Sequence, residues 1–286
     1  MSLTLSYVGG LGGNLQRRIN INQATLGTTP IQTRRPYPQF GDILESINNS
    51  RSNYNAVQAS IVKRFSRGFY FTGSYAHANG FDTSTDPGTA AQNRLNLQAE
   101  YGPSSFLVRN RFVFDGTWDL PIGQGHRIFG DIPSGWNRAV NGWEVSLIEL
   151  LQSGTPLTIT SPNETDTGGF IETRANRTCN GNLSKSVRSL KEFFNTSCFT
   201  QPPLNTFGDS GRGVITGPGL NNSDISVRKT IQIVGTKSLR FDAQFFNAFN
   251  HPQFQAPITT VGTTGFGSIA GALSARDIQL SGRFQF

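Results

Sequence analysis

Several residues have types that could do chemistry, and the sharpest candidate is the serine in Gly208-Asp209-Ser210-Gly211. A serine nucleophile needs a histidine base that a carboxylate orients. The histidines upstream of Ser210 are His77 and His126, and neither has the Ala-Ala-His-Cys context that accompanies this serine motif. The motif therefore predicts a glycine-rich turn before a strand, and we expect no catalytic residue there.

Charged residues occur on alternate positions of two segments, which places them together on one side of a β-strand. These candidates for facing a lumen are Arg109, Arg111, Asp115, Asp119, Arg240 and Asp242. Opposite charges on neighbouring strands form ion pairs, so we expect a ladder of pairs that lines a water-filled bore. A solute-binding wall is the alternative, and no carboxylate spacing singles out a hydrolytic pair.

The chain contains two cysteines, Cys179 and Cys198, in a polar, turn-rich segment. We expect them to form a disulfide that staples an exported loop, which is worth roughly 3 kcal/mol for a loop of this size. Two thiols and three distant histidines make a poor ligand set, so no metal is expected. No phosphate-binding loop or dinucleotide-binding fingerprint occurs, so no cofactor is expected.

The composition argues against a soluble enzyme. Only 15% of the residues are charged, against about 25% in soluble domains. Glycine supplies 32 residues and phenylalanine 22, which suits turns and strands. Lysines and arginines never run for more than two residues, so the net charge of +7 predicts no nucleic-acid partner. A basic barrel that meets anionic lipid or conducts anionic solutes fits this charge.

The elements that must carry these residues are β-strands, because apolar and polar residues alternate with a period of two. The clearest strand is predicted from Phe106 to Leu120, where one face is apolar and the other mostly charged or polar. This length exceeds the mode of about 5–6 residues in globular sheets and suits a tilted membrane strand with aqueous extensions. The C-terminal segment repeats the pattern and ends on Phe286 itself.

The apolar face of the predicted strands supplies the candidates for contact with lipid. These lipid-facing candidates are Phe112, Phe114, Trp118, Phe241, Phe245, Leu280 and Phe284. Trp118 is expected at the level of the lipid headgroups. Lys63 and Lys229 interrupt the apolar face, and Lys229 would have to extend its ammonium away from the lipid. Glu149 interrupts it too, and the sequence offers no explanation for that position.

Together these patterns predict an all-β protein: an antiparallel transmembrane β-barrel, or a partial barrel, of roughly ten strands. Residues 1–286 are expected to form a single outer-membrane barrel segment. Its connections alternate between short and long, and the long loop 161–219 is expected to be extracellular and to contact a ligand. The N-terminus lacks the features of a signal peptide, so Met1 is expected to be the start of a fragment.

Several short blocks occur in a fixed order along the chain. They are Ser52–Gln58, Lys63–Gly68, Tyr101–Ser105, Gly142-Trp143, Gln152–Pro156, Gly217–Gly219 and Phe245–Phe254. With the terminal Phe286, they resemble blocks in the barrels of TonB-dependent receptors of the Oar-like type. Full-length members of that group carry an N-terminal carboxypeptidase-regulatory-like domain. The resemblance covers most of the chain.

The resemblance implies a barrel in the bacterial outer membrane, surrounded by outer-membrane lipid, that takes up a ligand. Transporters of this kind have about 22 strands and a plugged lumen, whereas the plug and the TonB-contacting box have no counterpart in this sequence. The TonB system would therefore act only through N-terminal regions missing from this chain. The C-terminal strand resembles the signal that the barrel-assembly machinery reads. Its residues here are Ile278, Leu280, Phe284 and Phe286.

Two alternatives are open at this point. A soluble or surface-attached β-sandwich that binds carbohydrate would bury its apolar face between two sheets. A small standalone porin-like barrel of roughly ten strands would need no further strands. Packing of Phe112, Phe241 and Phe284 against a second layer of protein would exclude the membrane barrel.

Overall fold

The chain folds into one large antiparallel sheet with long connections at one end. The computed structural model describes residues 1–162, 166–169 and 173–286. Its eight long strands are β1 (Ser2–Asn20), β2 (Leu44–Ser66), β3 (Phe69–Asp82), β4 (Asn110–Asp119), β5 (Trp143–Gln152), β6 (Leu220–Val234), β7 (Lys237–Phe246) and β8 (Asp277–Gln285). The prediction of an all-β fold is confirmed.

Each long strand pairs with its neighbours in sequence, so the sheet is a simple up-and-down meander. A two-residue strand, Gly102–Pro103, adds a ninth member by pairing with the outer end of β3. Antiparallel neighbours can be joined by two-residue turns, which require positive φ angles. Arg67 and Gly68 supply them between β2 and β3, with φ angles of 54° and 73°. Gly235, with φ of 60°, does the same between β6 and β7.

The two ends of the sheet have connections of different length, and we name them accordingly. The turn end carries the two tight turns and the connection 120–142, which contains a seven-residue helix, α1 (Ser134–Val140). The loop end carries the connections 21–43, 83–109, 153–219 and 247–276. No helix within the described ranges combines the length and the apolar character needed to span a bilayer.

The strand predicted from Phe106 to Leu120 is shorter than expected, because β4 begins at Asn110. A turn precedes it, in which the amide of Leu107 donates to the carbonyl of Ser104 at 3.0 Å. Leu107 is buried against Ala56 and Ala78 instead of continuing the alternation. The prediction was wrong here because tertiary packing bends the backbone while the apolar pattern continues.

The first strand, β1, was not predicted, although its pairing with β2 extends over almost its whole length. Leu3, Leu5 and Tyr7 alternate as expected for a strand. Four glycines between positions 9 and 13 then dilute the pattern. A bulge follows at Asn14, whose φ is 55°. Glycine in a strand often marks such bends, and it weakens the sequence signal.

The sheet is open in the described part of the chain, because β8 pairs only with β7, and β1 pairs only with β2 apart from one isolated bridge between Arg18 and Ala90. Closed barrels leave no edge strand. Here the β1 edge and the β8 edge both present unpaired backbone groups, and the side chains of β8 are exposed throughout. The architecture is therefore that of a partial barrel.

Candidate functional site

All seven lipid-facing candidates lie on one face of the sheet, because directly paired residues in antiparallel strands project to the same side. Phe112 pairs with Tyr75 of β3 and with Leu151 of β5. Phe241 pairs with Gly282 of β8. We call this side the apolar face. Its members are Phe112, Phe114, Trp118, Phe241, Phe245, Leu280 and Phe284, together with their partners in register.

No second layer of described residues covers the apolar face between its two ends; at the turn end the connection 120–142 contacts Lys229, which is buried. Phe241 is 47% exposed and Phe284 is 53% exposed, whereas inner side chains of a β-sandwich are buried. Phe112 is half-buried, and it lines a cavity together with Lys185 and His251 of the loop-end connections. The arrangement that would have excluded a membrane barrel is therefore not found, and the carbohydrate-binding sandwich is ruled out as the architecture.

The two lysines on the apolar face sit near the turn end, beside aromatic rings. The Lys63 ammonium donates to the carbonyl of Phe69 at 2.7 Å and lies 5.2 Å from the centre of the Phe69 ring. The Lys229 ammonium donates to the carbonyls of Ala139 and Asn141 and lies 5.2 Å from the ring centre of Trp143. Both cations find backbone oxygens at the margin of the apolar band, as extended lysines at a membrane boundary do.

Glu149, which the sequence left unexplained, lies near the opposite margin of the apolar face. It pairs in register with Ser223, and its carboxylate accepts a hydrogen bond from the Ser223 hydroxyl. Next toward the loop end on the same face come Leu151 and Asn221. The apolar band thus ends in polar groups on both sides, and Glu149 belongs to the loop-end margin.

The other side of the sheet, the polar face, carries a chain of ion pairs across β5, β6 and β7. Arg228 occupies the centre, with Nη1 2.6 Å from Glu144 and Nε 2.6 Å from Asp242. Arg240 adds a third contact, with Nε 2.8 Å from Asp242. Two of these residues, Arg240 and Asp242, were candidates from sequence. Arg228 and Glu144 were missed because only the register shows that they lie opposite Asp242 and each other.

The remaining lumen-facing candidates lie on β4 or next to it. Arg111, Asp115 and Asp119 project from the polar face, while Arg109 precedes the strand and is exposed. Within the described residues none of these four forms an ion pair. The ladder of ion pairs therefore lies on β5, β6 and β7. The charged side chains of β4 are not part of it.

The described parts of the loop-end connections pack into one body, which we call the outer cap (21–43, 83–109, 153–219 and 247–276). Its hydrophobic core includes Ile159, Phe194, Phe199 and Ile215, all buried. Phe194 meets Phe199 and Phe266 edge to face, with ring centres 5.8 and 5.3 Å apart. The predicted disulfide between Cys179 and Cys198 is present beside this core. Of the predicted loop 161–219, residues 163–165 and 170–172 lie outside the described residues.

Buried ion pairs join different connections of the outer cap. Arg174 lies 2.9 Å from Glu100, and both side chains are more than nine-tenths buried. Arg212 lies 2.8 Å from Asp82, at the end of β3. Such pairs are costly to break because each would leave an uncompensated charge. These pairs could not be predicted from the sequence, since the partners are far apart along the chain.

A cavity of about 530 Å³ opens between the polar face and the outer cap. We call it the polar-face pocket. Phe106, Leu107 and Ala78 give it an apolar lining, Tyr54 forms part of its wall, and Arg111 contributes a guanidinium. Its size falls in the range of small-molecule sites, which combine apolar walls with a few polar groups. Asp82 also lines the pocket, and its carboxylate is paired with Arg212.

The serine motif does not build a catalytic site. Ser210 is buried, and its hydroxyl donates to the carbonyl of Gly211 at 3.3 Å. His77 contacts Asn110 at 2.8 Å instead of serving a nucleophile. Among the described residues no group of histidines, cysteines and carboxylates could hold a metal ion.

Residues 1–279 match the family described as the outer membrane beta barrel domain. The chain belongs to this family. The match spans every long strand from β1 to the first residues of β8, which agrees with the up-and-down sheet and its uncovered apolar face. As an outer-membrane barrel protein, it resides in the bacterial outer membrane. Comparison with curated proteins and with solved structures yields no match.

Proposed function

We propose that this chain forms part of the wall of an outer-membrane uptake barrel of the TonB-dependent receptor kind. The apolar face contacts lipid, the polar face lines the bore, and the loop end with its outer cap lies outside the cell. The chain performs no catalysis. Residues 1–286 act as one barrel segment, and uptake is the role that the Oar-like resemblance adds to the family.

The observation that carries the proposal is the register, which places most apolar side chains of the eight strands on one face and most polar ones on the other. Ile148 and Leu150 of β5 are exceptions that lie on the polar face. Apolar side chains that are half exposed would be unfavourable in water but are stable against hydrocarbon. The ion pairs around Arg228 lie on the opposite side, where a water-filled bore keeps them solvated. Long outer loops and short inner turns also fit outer-membrane barrels.

The open edges support a place in a larger barrel. An unpaired strand edge in hydrocarbon costs several kcal/mol for each unsatisfied backbone group, roughly as estimated for buried polar groups. We therefore infer that β1 and β8 pair with further strands, and that the TonB system is engaged through regions outside this chain. The unpaired edges argue against the small standalone porin-like barrel.

The C-terminal strand is proposed to engage the barrel-assembly machinery. Ile278, Leu280 and Phe284 of β8 share the apolar face, and Phe286 extends the same alternation. Their side chains are exposed, so a partner can read them before the strand is paired. Replacing Phe286 with Ser should lower the amount of assembled barrel, measured by heat-modifiable gel migration of outer-membrane fractions.

The proposed topology is tested with introduced thiols, which is feasible because both native cysteines are in the disulfide. Leu280→Cys and Ser281→Cys are adjacent in β8 and project to opposite faces. In intact outer membranes a water-soluble maleimide should label position 281 at least about tenfold faster, because thiols in hydrocarbon do not meet the reagent or ionise. Equal labelling, or faster labelling at 280, contradicts the proposal.

We propose the polar-face pocket and the neighbouring loop 161–219 as the ligand-contact region. Naphthalene-2-sulfonate is a suitable probe, since it combines an aromatic body with a single anionic group. Saturation-transfer NMR should detect its binding to the protein, and Arg111→Met should weaken that binding about tenfold, as expected for a lost charged hydrogen bond. Arg240→Met, on the same face but away from the pocket, should bind like wild type. Equal loss in both variants contradicts the assignment.

A further inference from the structure

A cavity lies beside the apolar face, where residues of the outer cap meet the loop end of the sheet. Its volume is about 590 Å³, within the range of small-molecule sites. Its floor is one row of residues that pair in register across four strands: Tyr75, Phe112, Leu151 and Asn221. Lys185 of the connection 153–219 and His251 of the connection 247–276 contribute to its wall. We call it the apolar-face cavity.

The lining of the apolar-face cavity combines one positive charge with unused hydrogen-bond donors. Lys185 is exposed, and within the described ranges its ammonium has no ion-pair or hydrogen-bond partner. The Asn110 carboxamide is oriented by Tyr75, whose hydroxyl donates to Oδ1 at 2.8 Å, and no described residue accepts from its Nδ2. No described carboxylate lines the cavity. The lining is therefore complementary to an anionic group.

The carboxylate of Glu149 belongs to a neighbouring cavity and not to this one. That neighbour shares Leu151, Asn221 and His251 with the apolar-face cavity. Glu149 pairs with Ser223, closer to the turn end than the pair of Leu151 and Asn221, and its carboxylate accepts a hydrogen bond from the Ser223 hydroxyl. The negative charge is therefore held on the turn-end side, outside the apolar-face cavity.

An apolar groove continues from the cavity along the apolar face toward the turn end. Its volume is about 280 Å³, and it shares Tyr75 and Phe112 with the cavity. Gly73 opens the groove, because it lies between Ile61 and Phe114 in register and has no side chain. A methyl group at Gly73 would stand 3.3 Å from Ile61 Cγ2 and 3.8 Å from Phe114 Cδ2. One methylene group therefore fills the space above Gly73, which is the width of a hydrocarbon chain.

We propose that the cavity and the groove together bind one lipid whose headgroup exposes a phosphate, with the phosphate at Lys185 and Asn110 and an acyl chain in the groove beside Gly73. The inference rests on the proposed function, which places the apolar face against lipid and the loop end outside the cell. Basic pockets at the membrane boundary bind phosphorylated headgroups, and lysine binds phosphate as a point charge. A free phosphate ion would leave the groove empty, so the continuity of the two spaces favours the lipid.

Native mass spectrometry tests the site, because it counts single lipids on the full chain after release from detergent micelles. The dissociation constant of the first bound lipid is compared for dioleoyl phosphatidic acid and dioleoyl phosphatidylcholine, which have the same acyl chains and differ in headgroup charge. Phosphatidic acid should bind about fivefold more tightly, as expected for one lysine near an anionic headgroup. A large excess of inorganic phosphate should not displace it, because the ion cannot occupy the groove.

Two lysine variants test the headgroup end of the site. Lys185→Gln should bring the dissociation constants of the two lipids within about twofold of each other, because the charge that separates them is gone. Lys191→Gln is the matched control, since Lys191 is exposed in the same connection and does not line the cavity. It should keep the difference between the lipids. Both side chains are exposed, so neither substitution disturbs a packed core.

Two glycine variants test the acyl-chain end. Gly73→Leu fills the groove and should weaken the binding of both lipids about threefold, because it displaces the chain that they share. Gly282→Leu is the matched control on the same face, where a methyl group would stand 3.6 Å from the Phe241 ring, in ordinary contact. It should bind both lipids like wild type.

Equal dissociation constants for the two lipids in the wild type, or the same response of Lys185→Gln and Lys191→Gln, overturn the proposal. Displacement by inorganic phosphate would show a site for the free ion and overturn the lipid. Equal losses in the two glycine variants would overturn the groove. The proposed function fails separately, through equal thiol labelling at positions 280 and 281. Unequal labelling together with no preference for phosphatidic acid refutes the lipid site alone.

Discussion

The sheet and the outer cap are each stabilised by a different set of interactions. Strand pairing stabilises the sheet, and the side chains of its apolar face remain half exposed. The outer cap has a true core around Phe194, a disulfide, and buried ion pairs such as Arg174 with Glu100. A barrel wall can be thin because lipid covers its outer face, whereas loops in water must build their own interior. The outer cap therefore has a hydrophobic core of its own, whereas the sheet relies on strand pairing.

The largest expected difference between the two regions is the free energy lost when a large aromatic side chain is removed. Phe194→Ala empties a fully buried site, so it should lower the free energy of unfolding of the outer cap by about 4 kcal/mol. Phe241→Ala on the apolar face should cost about 1 kcal/mol, because lipid replaces the lost contacts. Both free-energy costs are measured by denaturant titration in lipid. Proteolysis reports unfolding of the cap, and the circular dichroism signal of the β-strands reports unfolding of the sheet. Similar costs at the two positions would contradict the comparison.

Reduction of the disulfide should come next in size. Opening the Cys179–Cys198 bridge should destabilise the outer cap by roughly 3 kcal/mol, mainly because the unfolded loop gains freedom. Strand circular dichroism should not change, since the bridge lies outside the sheet. The Cys179→Ser, Cys198→Ser double variant should match the reduced wild type. Loss of strand signal on reduction would show that the cap and the sheet unfold as one unit.

Ion pairs should contribute more to the free energy of unfolding in the outer cap than on the polar face. Glu100→Gln leaves Arg174 buried without its countercharge and should cost about 2 kcal/mol of cap stability. Glu144→Gln, whose carboxylate meets Arg228 in a partly exposed position, should cost less than about 1 kcal/mol. Urea unfolding of the two variants decides the ranking. The comparison fails if Glu144→Gln proves the more damaging substitution.

The smallest effect concerns one exposed turn of the outer cap. The hydroxyl of Thr89 and the amide of Gly88 hydrogen-bond to Asp86 and lower the pKa of its carboxyl. Stability from this turn is therefore present above the ordinary carboxyl pKa of about 4 and is lost as pH falls through the lower folded value. NMR shifts of the Gly88 amide should follow this loss. Asp86→Asn should remove the titration, and strand residues should not report it.

The sheet could be predicted from the sequence better than the outer cap, because the strand pattern is local and the contacts of the cap are not. The period-two alternation is local, so Phe112, Phe241 and Leu280 could be assigned to one face before the register was known. The disulfide could be predicted as well. Glu100 and Arg174 could not be paired, because their contact depends on how distant loops fold together. The four glycines between positions 9 and 13 weakened the alternating pattern, so β1 was not predicted. A local turn at Ser104 makes β4 shorter than predicted.

The central claim is that the apolar face meets lipid while the polar face meets water. A spin-label scan along β7, with the protein in lipid bilayers, tests it most directly. A spin label at position 239, 241, 243 or 245 should collide mostly with oxygen. A label at position 240, 242 or 244 should collide mostly with a water-soluble nickel chelate. The account predicts this alternation with a period of two. A scan without alternation, or with the two phases exchanged, would contradict it.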